Sequence, residues 1–257
     1  MSKLKKTHDT TTFTFSHSSL DTLSKCAFEW YLKYIELNYP EKNNPVTDFG
    51  NLCHEIGENY FGGGRDETKR LCKEFAPKYI ITDEYRVKMP LAMSRIEKFF
   101  EAKLANSSKV FREKELRMAL NPYVDITGKI DVLYKDEDES WTVVDYKTSK
   151  RFGDYEKQFA FYYYLLSKHA NKVPEKMKFQ GVYLCAGRGS EICDFVKETI
   201  LDKSCLEITE NRIDFGMDTL LTKDIFDKSK WQKNLTPLCN WCDYAKAGIC
   251  DKGICER

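Results

Sequence analysis

The spacing of apolar residues in the first hundred positions predicts a series of helices. In the stretch LDTLSKCAFEWYLKYIEL apolar residues recur at intervals of three and four, and the serine-rich segment from Ser16 precedes it, which is typical of a helix start. Further helices are predicted over about 48–60, 66–80 and 84–105, with Pro90 in the early turns of the last one. We expect residues 1–16 to form a polar arm.

From Lys109 onwards the period of the pattern shifts towards two, which is typical of β-strands. Strands are predicted in VFREKELRMAL, YVDITGKIDVLY and WTVVDYK, and a short polar turn separates the last two. A helix over about 154–169 follows, then strands in MKFQGVYLCAG and around EICDFVKE, and a helix over 203–222. The sequence therefore predicts a hairpin of GKIDVLY and WTVVDYK at the centre of the chain.

Three charged residues of this hairpin are expected to share one small space. Asp145 and Lys147 are two apart, so they project from the same face of their strand, and antiparallel pairing brings Asp131 close to Asp145. Two carboxylates can hold Mg²⁺ or Mn²⁺, and a lysine beside the metal can orient its bound water. The alternative is a solvated hairpin whose charges pair with one another.

Composition limits the classes of protein that fit. With 257 residues the chain can form one sizeable core, and its 41 basic residues nearly balance its 40 acidic ones, so a nucleic-acid site must be a local patch. Neither a secretory leader nor a run of about 18 apolar residues is present, which predicts a cytoplasmic protein without a membrane span. The ten cysteines are then expected to be metal ligands or buried thiols.

Four of these cysteines are clustered near the C-terminus, a pattern that indicates a metal site. Cys239 and Cys242 form a C-x-x-C, Cys250 follows after seven residues, and Cys255 lies beyond it. One interpretation is a local zinc knot of these four. The other is a [4Fe-4S] cluster on Cys26, Cys239, Cys242 and Cys250, which would tie the two ends of the chain together.

Shortly before these cysteines, Lys228, Lys230 and Lys233 surround Trp231, a pattern that fits either a nucleic-acid contact or a solvated linker.

The order of these motifs resembles the PD-(D/E)XK nuclease superfamily, in its RecB-like and Cas4-like branch. Asp131, followed after an apolar run by Asp145-Tyr146-Lys147, is similar to the family's catalytic motifs. The resemblance implies that Asp131 and Asp145 bind a divalent metal and that Lys147 is catalytic. It also implies that His54 completes the metal site, with the Tyr146 carbonyl as a further ligand.

Other parts of the chain extend the resemblance. Gln158 and Tyr162 are similar to a Q-x-x-x-Y motif, which implies that they contact DNA or position the catalytic strand. Related nucleases carry a glutamate on the strand before the hairpin, for which Glu113 and Glu115 are the candidates, and we favour Glu115. The cysteines resemble the iron–sulfur staple of AddB-type and Cas4-type nucleases. This favours the cluster that includes Cys26 over zinc, with Cys255 as an alternative ligand.

The resemblance implies an α/β fold of the restriction-endonuclease type, with a central mixed sheet flanked by helices. We expect one nuclease domain over residues 1–257, with an N-terminal helical part at about 17–105, a sheet core at about 109–200, and a C-terminal helix and cysteine tail at about 203–257.

The implied function is a metal-dependent DNA exonuclease in recombination, repair or end processing. Because no helicase motif is present, unwinding would require a helicase or recombination partner. The alternative function is a non-catalytic, nuclease-like DNA-binding scaffold. A cysteine-based redox protein is disfavoured, because the C-x-x-C lies in a tail rather than near a βαβ unit.

Overall fold

A computed structural model of the protein describes residues 5–7, 10–40, 44–136, 140–169, 174–222 and 224–251. Its helices are α1 (His17–Lys25), α2 (Ala27–Tyr34), α3 (Pro45–Asn59), α4 (Gly64–Phe75), α5 (Asp83–Phe99), α6 (Glu156–His169), α7 (Ile192–Phe195), α8 (Leu206–Thr222) and α9 (Asp243–Lys246). Its strands are β1 (Lys5–Thr7), β2 (Thr10–Phe15), β3 (Val110–Asn121), β4 (Val124–Lys135), β5 (Trp141–Lys147), β6 (Lys176–Tyr183) and β7 (Val196–Asp202).

The chain forms two compact units. The first consists of Met1–Lys42, Arg117–Thr127 and Glu207–Arg257, and the second of Asn43–Leu116 and Gly128–Leu206. The chain passes from one unit to the other within β3 and again within β4. The single domain expected over residues 1–257 stays a prediction.

In the first unit, β1 pairs antiparallel with β2, and β2 pairs in parallel with the start of β4, where Phe13 faces Val124. The polar arm expected over residues 1–16 is therefore wrong for Lys5–Thr7 and Thr10–Phe15. Threonine and phenylalanine fill the segment TTTFTF, and both favour extended backbone. The segment Thr10–Phe15 is therefore a strand in spite of its polar composition.

The second unit contains a mixed sheet with helices on both faces. Here β4 and β5 are antiparallel, β5 and β6 parallel, and β6 and β7 antiparallel. Phe179 of β6 packs against Phe159 of α6, whereas Val182 lies in the core cluster that includes residues of α3, α4 and α5. Since side chains alternate across a strand, these two residues mark opposite faces. The predicted α/β fold with a central mixed sheet flanked by helices is confirmed.

Several predicted element boundaries were wrong. The helix expected over the LDTLSKCAFEWYLKYIEL stretch is broken at Cys26, whose φ of −156° and ψ of 107° are extended. Pro90 lies inside α5, as predicted, but the segment Phe100–Leu104, which was expected to continue this helix, is a π-helical turn. In the strand expected around EICDFVKE, the first part forms α7, because Glu191 and Asp194 cap its N-terminus reciprocally.

Trp231 is a core residue of the first unit. Its side chain is 3% exposed, and its ring lies 5.3 Å from that of Trp30 and 5.4 Å from that of Tyr31. The Trp231 ring is therefore not available for the nucleic-acid contact considered from the sequence. Among the helices of the described ranges, none combines the length and apolar character needed to cross a membrane.

Candidate active site

The pairing of β4 with β5 in the second unit places two buried carboxylates side by side. Val132 pairs with Val144, and Asp131 and Asp145 are the residues next to this pair, both buried. The backbone amide of Tyr146 donates a hydrogen bond to Asp131 Oδ2 at 2.7 Å. Buried carboxylates require a positive partner or hydrogen-bond donors, so this pair needs a cationic environment.

A histidine and a glutamate complete a cluster around Asp131. His54 Nδ1 of α3 lies 3.2 Å from Asp131 Oδ2. One ligand atom each of His54, Glu113 and Asp131 lies within 4.8 Å of the other two. Carboxylate oxygens suit Mg²⁺ and Mn²⁺, and imidazole is a common ligand of transition metals. This cluster could therefore hold a divalent ion.

Glu113 is the third member of the cluster and the less favoured of the two glutamates that the resemblance offered for this strand. We favoured Glu115, but Glu113 lies at the site, where its carboxylate contacts Lys129 Nζ. Glu113 has a φ of +49°, in the left-handed region, within an extended strand. Such a residue interrupts the regular alternation of side chains between the two faces of a strand. Strand alternation along β3 therefore does not predict the face on which the Glu113 side chain lies.

Asp145 belongs to a second network, with Lys147 of β5 and two residues of α6. Lys147 Nζ lies 2.5 Å from Asp145 Oδ2 and donates to Gln158 Oε1 at 2.8 Å. Gln158 Nε2 donates to Asp145 Oδ1 at 2.6 Å, and Tyr162 Oη reaches the same oxygen at 3.4 Å. The Lys147 ammonium also lies 3.9 Å from the centre of the Tyr155 ring. The sequence-predicted residues of β5 and α6 thus lie in one connected group.

The charges of this site shift the pKa values of its members. Burial by itself would lower the pKa of His54, but the charge and hydrogen bond of Asp131, together with the charge of Asp145, outweigh burial and raise that pKa to about 9. Burial raises the pKa of Asp145, and the charge of Asp131 adds to this, while Lys147 and His54 act against it. The pKa of Tyr162 is raised by burial and by both aspartates, so its hydroxyl stays protonated.

In the first unit, Cys26, Cys239, Cys242 and Cys250 line one cavity of about 110 Å³. All four are free thiols. The backbone amide of Thr236 donates to Cys239 Sγ at 3.5 Å. Cys26 reaches the cavity from the break between α1 and α2. The alternative ligand, Cys255, lies outside the described residues.

Comparisons with known proteins give information on the family and the fold of the chain. Residues 14–251 match the profile of the PD-(D/E)XK nuclease superfamily. In fold, the chain is similar to the crystal structure of a "putative exonuclease" from Eubacterium rectale, with a TM-score of 0.58 and 11% identity, covering 93% of this chain and 90% of that one. A structure of the protein SSO0001 aligns at 14% identity over 87% of this chain and 93% of that one, with a TM-score of only 0.34.

Among curated proteins, none matches this sequence. The family match nevertheless extends over most of the chain, from β2 to the cysteine tail, and includes every candidate active-site residue described above. The chain belongs to the PD-(D/E)XK nuclease superfamily.

Proposed function

We propose that this protein is a divalent-metal-dependent exonuclease that hydrolyses phosphodiester bonds in DNA. The observation that carries the proposal is the cluster of His54, Glu113 and Asp131, whose ligand atoms lie within 4.8 Å of one another. The network of Asp145 and Lys147 lies on the adjoining strand. The Eubacterium rectale protein of similar fold is named a "putative exonuclease".

The donor set of the cluster fits Mg²⁺ or Mn²⁺, because it combines two carboxylates with one imidazole. We assign His54, Glu113, Asp131 and Asp145 as the protein ligands. The backbone carbonyl of Tyr146 is a further candidate, since the amide and carbonyl of one strand residue point to the same side, and this amide points at Asp131. The bound ion would polarise a phosphate and lower the pKa of a bound water.

The remaining residues of the site hold and orient the reacting groups. The Lys147 ammonium, fixed between Asp145 and Gln158, orients the attacking water and offsets negative charge on the phosphate. Gln158 also donates to Asp145 Oδ1, and the Tyr162 hydroxyl lies within reach of the same oxygen. These two residues of α6 therefore fix the orientation of the Asp145 carboxylate. Gln158 and Tyr162 are therefore positioning residues in this proposal.

We also propose a structural [4Fe-4S] cluster on Cys26, Cys239, Cys242 and Cys250. The proposal is supported by the placement of four free thiols around one cavity and by the backbone amide that donates to Cys239 Sγ. Such a cluster would join the N-terminal and C-terminal segments of the first unit, where closing a long loop removes the most entropy from the unfolded chain. Zinc is the alternative occupant.

The experiment that tests the nuclease proposal is cleavage of labelled single-stranded and double-stranded DNA by anaerobically purified protein with Mg²⁺, Mn²⁺ or EDTA. Cleavage is expected only with a divalent ion and should be lost in Asp145→Ala. The matched control is Asp83→Ala, because the Asp83 side chain is 96% exposed at the start of α5. Wild-type rates in Asp145→Ala would reject the assignment, and DNA binding without cleavage by the intact protein would favour the scaffold function.

The proposed setting is recombination, repair or DNA end processing, with any unwinding supplied by a partner protein. The product ladder from an end-labelled strand tests the exonuclease part of the proposal. Single nucleotides released from one end are expected, whereas internal fragments at early times would indicate an endonuclease.

A further inference from the structure

An exposed phenylalanine lies beside a guanidinium in the second unit. Phe61 follows the end of α3, and its side chain is 71% exposed, which is unusual for a large aromatic residue. The Arg112 guanidinium of β3 lies 4.6 Å from the centre of the Phe61 ring and 5.7 Å from that of Phe100. The cation therefore lies near two aromatic rings.

These residues line a cavity of about 410 Å³ together with Leu104 and Val110. This volume is typical of a small-molecule site, for which the usual range is about 300–1,000 Å³. Arg112 Nη1 donates to the Gly57 carbonyl at 2.6 Å, which fixes the guanidinium at the cavity wall. Within the described part of the chain, Arg112 forms no ion pair with a carboxylate. Its positive charge therefore remains available to an anionic ligand.

The backbone around Phe61 depends on glycine. Gly62 has a φ of +106°, and a Cβ added there would lie 3.3 Å from Phe100 Cε1. A larger residue would therefore be strained and would crowd the Phe100 ring. Glycine at this position lets the Phe61 segment lie close to Phe100. The backbone at Gly62 therefore helps to fix the two phenylalanines that line the cavity.

Two elements connect the residues around the cavity with the candidate metal cluster. Arg112 immediately precedes Glu113 on β3. Gly57, the acceptor of the Arg112 hydrogen bond, lies three residues after His54 on α3, which is close to one helical turn. β3 thus supplies Glu113 as well as Val110 and Arg112, which line the cavity, and α3 supplies His54 as well as the carbonyl that holds the guanidinium.

We propose that this cavity binds a nucleobase of a single-stranded DNA end, stacked on Phe61, with the Arg112 guanidinium contacting the nucleotide's phosphate or ring; this inference rests on the proposed nuclease function. A nucleotide combines an apolar face with a negative charge, and aromatic rings with arginine are the groups that proteins use for both. In a duplex each base is already stacked and paired, so the site selects an unpaired strand.

Binding of an oligodeoxynucleotide with 2-aminopurine as its terminal base tests the proposal, with EDTA present to prevent cleavage. Phe61→Ala should weaken the binding of the single strand about tenfold or more, and should abolish the quenching that stacking causes. Phe61→Trp retains an aromatic face, so binding and quenching should persist. Binding of blunt duplex DNA should be the same in all of these proteins.

The matched control is Phe226→Ala, because Phe226 is a similarly exposed phenylalanine, at 61%, that does not line this cavity. Affinity and quenching should match those of the wild type. If Phe61→Ala binds and quenches as the wild type does, or if Phe226→Ala loses as much as Phe61→Ala, the proposal is wrong.

Cleavage with Mn²⁺ separates this inference from the nuclease proposal. If the nuclease proposal holds, Phe61→Ala should raise KM for single-stranded DNA about tenfold and leave kcat nearly unchanged. If the wild type does not cleave at all, the nuclease proposal fails, while the titration in EDTA still supports or overturns the base site.

Discussion

His54 Nδ1 lies 3.2 Å from Asp131 Oδ2, and this contact connects α3 with the central hairpin. Because Asp131 and Asp145 together raise the pKa of His54 to about 9, the imidazole is protonated at neutral pH in the absence of metal. The pair then contributes to stability as an ion pair in chelated protein.

This relationship predicts how the stability of chelated protein depends on pH. The pKa of His54 is higher in the folded chain than its ordinary value of 6.5, so its contribution is fully present below about pH 6.5 and is lost as the pH rises towards 9. In EDTA, the difference in unfolding free energy between wild type and His54→Asn should therefore shrink over this range. Denaturant titrations at several pH values measure it, and a difference that grows with pH would contradict the assignment.

Gln158 joins Lys147 to Asp145, so its removal should disturb both without removing a metal ligand. In Gln158→Ala we expect kcat for DNA cleavage to fall by about 10- to 100-fold, the range seen when groups that orient metal ligands are lost. The Mn²⁺ concentration needed for half-maximal activity should change less. The neighbouring Lys157 is exposed on the same helix, so Lys157→Ala serves as the control and should retain full activity. Equal loss in both variants would indicate general damage to α6.

Cys26 distinguishes the two metal proposals for the cysteine group. If it ligates a [4Fe-4S] cluster, anaerobically purified Cys26→Ala should lose the cluster's visible absorbance and nearly all of its iron, and its Tm should fall. Cys193→Ala replaces an exposed cysteine outside the cavity and should retain both. A full metal content in Cys26→Ala would instead favour a local zinc knot in the tail.

The two tryptophans near the C-terminus should respond differently to truncation. Trp231 is buried against Trp30 and Tyr31, so Trp231→Ala should reduce the free energy of unfolding by about 3–5 kcal/mol. Trp241 is 68% exposed, and Trp241→Ala should change the free energy of unfolding by less than about 0.5 kcal/mol. Denaturant unfolding measures both variants, and a loss in Trp231→Ala as small as the one expected for Trp241→Ala would mean that the buried stack is not a main source of stability.

The sequence predicted the central hairpin and the proximity of the residues around it, because their pattern is local. Asp145 and Lys147 share a face by strand alternation, and Gln158 and Tyr162 share one by helical spacing. The structure brings these four residues together as expected. Their roles in binding metal and DNA stay predictions.

Other features depend on interactions that a local pattern does not encode. The break at Cys26 replaces helical backbone by an extended residue, although the apolar spacing continues across it. The position of Glu113 depends on a single left-handed residue, which no residue type in VFREKELRMAL indicates. The strand at Thr10–Phe15 is fixed by pairing with β4, more than a hundred residues later in the chain.

The left-handed backbone of Glu113 sets stability and function against each other at one position. A residue with a side chain loses on the order of 1 kcal/mol in this conformation, which glycine would recover. A selection for thermal stability alone would therefore favour Glu113→Gly and, with it, the loss of a carboxylate from the candidate metal cluster. A stabilised variant obtained in this way would keep the fold of a nuclease while giving up a part of its proposed chemistry.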